Sequence, residues 1–205
     1  VKTYVLRHGQ TEYSTKHLVN GDPTVLVRLR DEGVQACQRP LGVLLLDIVQ
    51  TWAVSEFPRA QQTAVLLTGV PARKLVVEPR LNELDYGEFE DGPWLTHGDW
   101  LDQHGARRRP TGAAESQREG IGRTLRGLRE YLALPGPRLV VGHGLLLSVL
   151  VWQQGRSGGE AYRWSSRRPP ACGHSTSRTT CSATGSRSFL SDLDAEGRDD
   201  PDRRG

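Results

Sequence analysis

Arg7, His8 and Gly9 stand together directly after a short apolar run, Tyr4-Val5-Leu6. Arginine is permanently cationic and presents its donors in a planar fork that fits phosphate oxygens, while a neighbouring imidazole can act as nucleophile or base. Gly9 lets the backbone turn and lets a ligand come close. The group reads as a reactive site if the rest of the chain supplies partners, and three further stretches do so. Arg59 follows Pro58 at the start of a predicted helix, where its charge and the free backbone donors both favour an anion. His143 lies between Gly142 and Gly144, after the apolar run Leu139-Val140-Val141. The segment Leu81 to Glu90 carries Glu83, Asp85, Glu88 and Glu90, any of which could act as a general acid beside a cationic pocket. The residues alone do not choose among the four.

An alternation of short apolar runs and helical stripes must position these groups. Strands are expected at Tyr4–Leu6, between Leu46 and Ser55, at Leu75–Val77 and at Leu139–Val141. A helix is expected from Asp31, with Val34, Cys37, Leu41 and Leu44 at helical spacing and Pro40 interrupting the pattern. Others are expected from Pro58 to Leu67, after a capping box at Ser116 and Glu119, and from Leu145 to Trp152, which is apolar on every side and so expected to be buried. Residues Glu12 to Thr24, with Asn20-Gly21-Asp22-Pro23, read as a loop near the site. Asp91 to Ala114, with Trp94, Trp100 and the run Arg107-Arg108-Arg109, reads as a helical or irregular lid. The alternation predicts a three-layer α/β/α domain with a mostly parallel central sheet. In such sheets ligands bind beyond the carboxyl ends of the strands. His8, Arg59, Glu83 and His143 each follow a predicted strand at that end.

The 205 residues suit one domain of ordinary size with an appendage. A net charge of +3 gives no case for nucleic acid or an anionic membrane as partner. The composition changes at Gly155, after which the chain is rich in Arg, Ser, Gly and Thr and then turns acidic. The domain is therefore expected over 1–155, with 156–205 a largely disordered tail or a divergent end of the domain, in which Ser188 to Leu193 form one short element. Cys37, Cys172 and Cys181 make neither an even disulfide set nor a paired metal motif, and Cys172, His174 and Cys181 are too irregularly spaced to read as metal ligands. No apolar run approaches membrane-spanning length, and a strand beginning at residue 2 leaves no room for a signal peptide. The expectation is a cytoplasmic protein with neither metal nor cofactor.

Four pieces in order carry a resemblance: Arg7-His8-Gly9-Gln10-Thr11; Ser55 to Ala64 with Arg59-Ala60-Gln61-Gln62-Thr63-Ala64; Leu81-x-Glu83 with Gly87 and Glu90; and Val140-Val141-Gly142-His143-Gly144. Through them the chain resembles the histidine phosphatase superfamily, also called the phosphoglycerate mutase-like family. The resemblance implies that His8 takes a phosphoryl group as phosphohistidine, that Arg7, Arg59 and His143 hold its oxygens, and that Glu83 is the general acid. Gln10, Thr11, Asn20 and Gly21 are then expected to contact substrate, a small phosphorylated metabolite. Two guanidinium groups and an imidazole supply the positive charge, so no metal is implied. Three departures stand out: Ser14 where the family often has Asn, two alanines between Pro110-Thr111-Gly112 and Glu115-Ser116, and no evident strand after the last helix. The short interval from Glu83 to His143 favours a phosphatase acting on small phosphate monoesters, while Arg107 to Arg109 are the feature that would suit a mutase. A non-catalytic phospholigand-binding protein is the remaining alternative, and the oligomeric state is open.

Overall fold

Residues 2–38, 48–155 and 179–181 are described by the computed structural model of the chain. Their framework follows from short β-branched runs too apolar to face water. Val5, Leu6, Val54, Val140 and Val141 are wholly buried, as interior strands covered on both faces require. The strands are β1 (Thr3–Arg7), β2 (Thr51–Val54), β3 (Val76–Val77), β4 (Arg138–Gly142) and β5 (Thr179–Cys181). Among the described residues they form one sheet in the order β3-β2-β4-β1-β5. The pairs β2–β3, β2–β4 and β1–β4 are parallel, and β5 runs antiparallel to β1. This is the mostly parallel sheet expected.

The helices are α1 (Glu12–Thr15), α2 (Asp31–Gln38), α3 (Pro58–Thr68), α4 (Trp94–His104), α5 (Gln117–Tyr131) and α6 (Gly144–Gly155). Side chains alternate across a strand, and the core divides accordingly. Val5, Ala53 and Val140 pack with Ile121, Leu125 and Leu128 of α5 and with Leu146, Val149 and Leu150 of α6. Leu6, Val54, Leu139 and Val141 pack with Cys37 of α2 and with Ala60, Ala64 and Leu67 of α3. The result is three layers, with helices on both faces of the sheet. Ser116 caps α5 in the expected box, its hydroxyl accepting from the Glu119 N–H while the Glu119 carboxylate accepts from the Ser116 N–H.

Two expectations need correction. The stretch from Glu12 to Thr24 is not all loop: α1 forms at its start because Thr11 and Ser14 make a reciprocal cap. The chain beyond residue 155 also contributes a strand, β5. The second half of the helix expected past Pro40, with Leu41 and Leu44, lies outside the described residues. So do Cys172, His174, the element at Ser188 to Leu193 and the remainder of the tail. No described helix is long and apolar enough to cross a membrane.

The lid is helical where α4 docks, and His97 does the docking. Its ring is 2% exposed and packs against Tyr86 and Phe89, with centroids at 5.0 and 5.4 Å. Its Nε2 has no hydrogen-bond partner among the described residues, and burial pushes its pKa down to about 4. The same imidazole in an unfolded chain titrates near ~6.5. Its contribution to stability is therefore complete above ~6.5. It is lost as the pH falls toward about 4, because the unfolded chain takes up a proton that the folded one refuses, and the loss is ~3 kcal/mol at most. Thermal midpoints followed through this range should fall more steeply for the native protein than for His97→Phe. Equal slopes would remove His97 from the account of acid unfolding.

Candidate active site

The sheet brings two histidines together first. In the β1–β4 ladder Arg7 is paired with Gly142, and the His8 N–H donates to the Gly142 carbonyl at 3.0 Å. His8 and His143 are thus the next residues of neighbouring parallel strands, and their rings meet edge-on with centroids 5.3 Å apart. Ser55 follows β2, and Arg59 sits in the first turn of α3 just beyond it. β3 leads through a 3-10 turn, Pro79–Leu81, to Glu83. All of these stand past the carboxyl ends of the parallel strands.

His8 is 8% exposed. Its Nδ1 lies 2.8 Å from the Gly9 carbonyl oxygen, which can only accept, so Nδ1 carries the proton and Nε2 presents a lone pair. Arg59 Nε donates to that Nε2 at 3.2 Å. Burial, and then the charges of Arg59 and Arg7, hold the His8 pKa well below the ordinary histidine range. The imidazole is neutral at neutral pH, as a nucleophile must be.

His143 is 1% exposed and is held at both nitrogens. Arg59 Nη2 is 3.5 Å from Nδ1, and a guanidinium has no acceptor, so Nδ1 accepts and Nε2–H donates to Ser55 Oγ at 2.7 Å. Burial, then the charge of Arg59, depress its pKa well below the usual value.

Arg59 is the hub. Besides the two imidazoles it binds Asn20, with Nη1 donating to Oδ1 at 2.5 Å and Nη2 to the main-chain oxygen at 3.0 Å. Its guanidinium carbon stands 4.2 Å from the centre of the Phe57 ring. Burial lowers its pKa to about 10, against the opposing charge of Glu83. Arg7, by contrast, has a buried Nε with no hydrogen-bond partner among the described residues, and its guanidinium lies against Gly144 at the start of α6. An unpartnered buried cationic donor is uncommon, and an anion's oxygen would complete it.

The structure separates the four acids that the residues alone left equal. Asp85 accepts from the N–H groups of Gly87 and Ala114, and Glu88 from that of Thr111. Glu90 accepts from Gly21 N–H with both oxygens and from Tyr86 N–H. These three carboxylates brace loops. Glu83 accepts only from the N–H of its neighbour Leu84 among the described residues, and of the surrounding charges its own acts most strongly on Arg59.

Some expected contacts are turned elsewhere. The Thr11 hydroxyl is used in the cap of α1, bonded to the N–H and hydroxyl of Ser14, and Ser14 is turned back on Thr11 in the same way. The Gly21 N–H belongs to Glu90; Gly21 rides so close to the acid loop that a Cβ there would fall 1.9 Å from the Leu84 carbonyl oxygen. Asn20 accepts from Arg59 with its Oδ1 and its main-chain oxygen, and its Nδ2 donates to the Asp22 carbonyl at 3.3 Å. Gln10 is partly exposed and anchored by its backbone, its carbonyl accepting from Arg30 N–H at 2.9 Å.

Sequence reasoning also passed over three residues. Ser55 holds His143. Thr63 accepts from the Gly9 N–H at 2.9 Å and donates to the Arg59 carbonyl at 2.7 Å, tying the His8 turn to α3. Tyr86 is buried beside the acids, and burial together with the charges of Glu83 and Glu90 holds its phenol protonated, well above the usual pKa. Ser55 was open to discovery, since it follows a strand at the same end as the others. Among the described residues no group of His, Cys, Asp and Glu is placed to hold a metal ion.

This geometry agrees with comparisons to known proteins. The chain is 30% identical over 165 residues to the "Probable phosphoglycerate mutase GpmB" of Cronobacter sakazakii, a match covering 74% of this chain and 73% of that protein. It is 28% identical over 165 residues to the protein of the same name from Enterobacter sp., with the same coverage. Among solved structures the fold resembles phosphoglycerate mutase from Thermus thermophilus, with a TM-score of 0.56 and 23% identity over 77% of this chain and 86% of that one. It also resembles the alpha-ribazole phosphatase from Shigella flexneri, with a TM-score of 0.54 and 24% identity over 77% and 81%. The sequence pattern of one family matches from residue 3 to residue 179, through every strand-end group described above and into β5, and by that match the chain belongs to the histidine phosphatase superfamily, branch 1.

Proposed function

We propose that the protein is a phosphatase that hydrolyses small phosphate monoesters through a phosphohistidine on His8. The observation that carries this reading is the state of that imidazole: Nδ1 is committed to the Gly9 carbonyl, leaving the Nε2 lone pair among cationic groups. Nε2 attacks phosphorus, the ester P–O bond breaks, and the leaving oxygen takes a proton from Glu83. Water then gives a proton to Glu83 and attacks the phosphohistidine, breaking P–N and releasing phosphate. Arg7, Arg59 and His143 hold the equatorial oxygens, where charge must be matched in phosphoryl transfer. Once Arg59 Nη2 turns from His143 Nδ1 to a phosphoryl oxygen, Ser55 can turn its hydroxyl to donate to Nε2, and the imidazole proton then sits on Nδ1, where it can donate to another of those oxygens.

A mutase is the second reading, favoured by the names of the relatives matched. Against it, Arg109 is engaged in a two-pronged pair with Glu119, at 2.8 and 2.6 Å, and is not held ready for a substrate carboxylate. A panel of phosphate esters assayed for phosphate release, with 3-phosphoglycerate and its bisphosphate primer included, decides between them. Phosphate release without isomerisation is expected. Isomerisation faster than phosphate release would replace the phosphatase with a mutase.

A further inference from the structure

Arg123, on α5, is bound to the main chain that leads to Glu83 and to the Glu83 carbonyl itself. Its Nη1 donates to the carbonyls of Arg80 at 2.9 Å and Asn82 at 3.0 Å, and its Nη2 to the carbonyl of Glu83 at 3.2 Å. The same guanidinium is held by Glu115, with Nε and Nη2 at 2.9 and 2.5 Å from its two oxygens. Neither side chain is free in water, with exposures of 23% for Arg123 and 16% for Glu115. Two glycines, three residues before Arg123 and four after it, share its helical face. A Cβ on Gly120 would come 2.6 Å from Leu84 Cδ1, and one on Gly127 would come 2.9 Å from Arg80 Cβ. The bare face lets the acid segment lie close enough to α5 for one side chain to reach three carbonyls. The Glu83 carboxylate, hydrogen-bonded among the described residues only to the neighbouring N–H, therefore takes its position from the main chain.

We propose that Arg123 is a positioning residue for the proton donor, setting where the Glu83 carboxylate stands by holding the carbonyls of Arg80, Asn82 and Glu83. The proposal rests on the reading of Glu83 as the acid, and its test separates the two. p-Nitrophenolate leaves without being protonated, whereas the alkoxide of glycerol 2-phosphate needs the proton. In Arg123→Met, kcat/KM for glycerol 2-phosphate should fall by about 10- to 100-fold, and that for p-nitrophenyl phosphate by less than about 3-fold. Glu83→Gln should show the same selectivity with a larger loss, and the double variant should lose no more than Glu83→Gln alone. A merely structural role would lower both esters together. If circular dichroism shows that Arg123→Met does not fold, Arg123→Lys, which keeps the charge and loses the fork, is read on the same two esters. Equal loss on both esters, or no loss, while Glu83→Gln remains selective overturns the proposal and leaves the Glu83 reading standing. Glu83→Gln without selectivity overturns that reading and the proposal with it.

Discussion

His8→Ala should reduce phosphate release from every ester by at least about 10⁴-fold, because it removes the nucleophile and leaves its surroundings in place. The fold should survive the change. The hydrogen bond that anchors residue 8 to β4 comes from its backbone N–H, which alanine keeps, and the side chain makes no part of either apolar core. Phosphate binding should persist through Arg7 and Arg59, so the loss belongs to kcat more than to affinity. Rapid quenching of the native protein with labelled ester should trap a phosphoprotein that is labile in acid and stable in base, the signature of a P–N bond. The variant should yield none. Turnover that survives in His8→Ala would end the phosphohistidine mechanism.

Arg59 should show the next largest effect, and two substitutions separate its roles. Arg59→Lys keeps one positive charge and loses the fork that reaches His8, His143 and Asn20 together, so kcat/KM should fall by about 10²- to 10³-fold. Arg59→Met removes the charge as well. That charge helps to depress the His8 pKa, after burial, so removing it raises the pKa. Protonated His8 cannot attack, and activity is lost as the pH falls through the folded-state value. The acid limb of the kcat/KM profile should therefore move to higher pH in Arg59→Met and stay nearly in place in Arg59→Lys. A limb that does not move in Arg59→Met would show that burial and Arg7 keep His8 neutral without Arg59. Arg59 already has protein acceptors for its donors, so taking up a phosphoryl oxygen is an exchange of hydrogen bonds with small net gain.

The groups at the strand ends were legible for a physical reason. A short apolar run buried on both faces of a sheet is easy to recognise, and the polar residue following it must emerge at an edge. By that rule His8, Arg59, Glu83 and His143 are expected beyond the strand ends, and the structure places them there. It was silent on the choice among four acids, because the distinction lies in which backbone N–H each carboxylate meets, and Ala114 and Thr111 are far from Asp85 and Glu88 in sequence. It was silent too on Thr11 and Gly21, whose donors meet Ser14 and Glu90 through contacts made only once the loops have folded. Arg123 was illegible for a related reason: its partners are main-chain carbonyls, which leave no mark on residue type. The short helix α1 and the strand β5 are too brief to show any period.

The pairing of Arg7 with Gly142 makes the β1–β4 ladder a ruler for the two histidines. The separation of the two imidazoles is that of adjacent strands, fixed by backbone hydrogen bonds to ~5 Å. A residue inserted or deleted within β1 or β4 would turn one ring to the opposite face of the sheet, and no side chain elsewhere could restore the match. The lid and the loop at Asn20 are under no such rule. Change in chain length has room on that side of the pocket, while the distance between His8 and His143 stays constant.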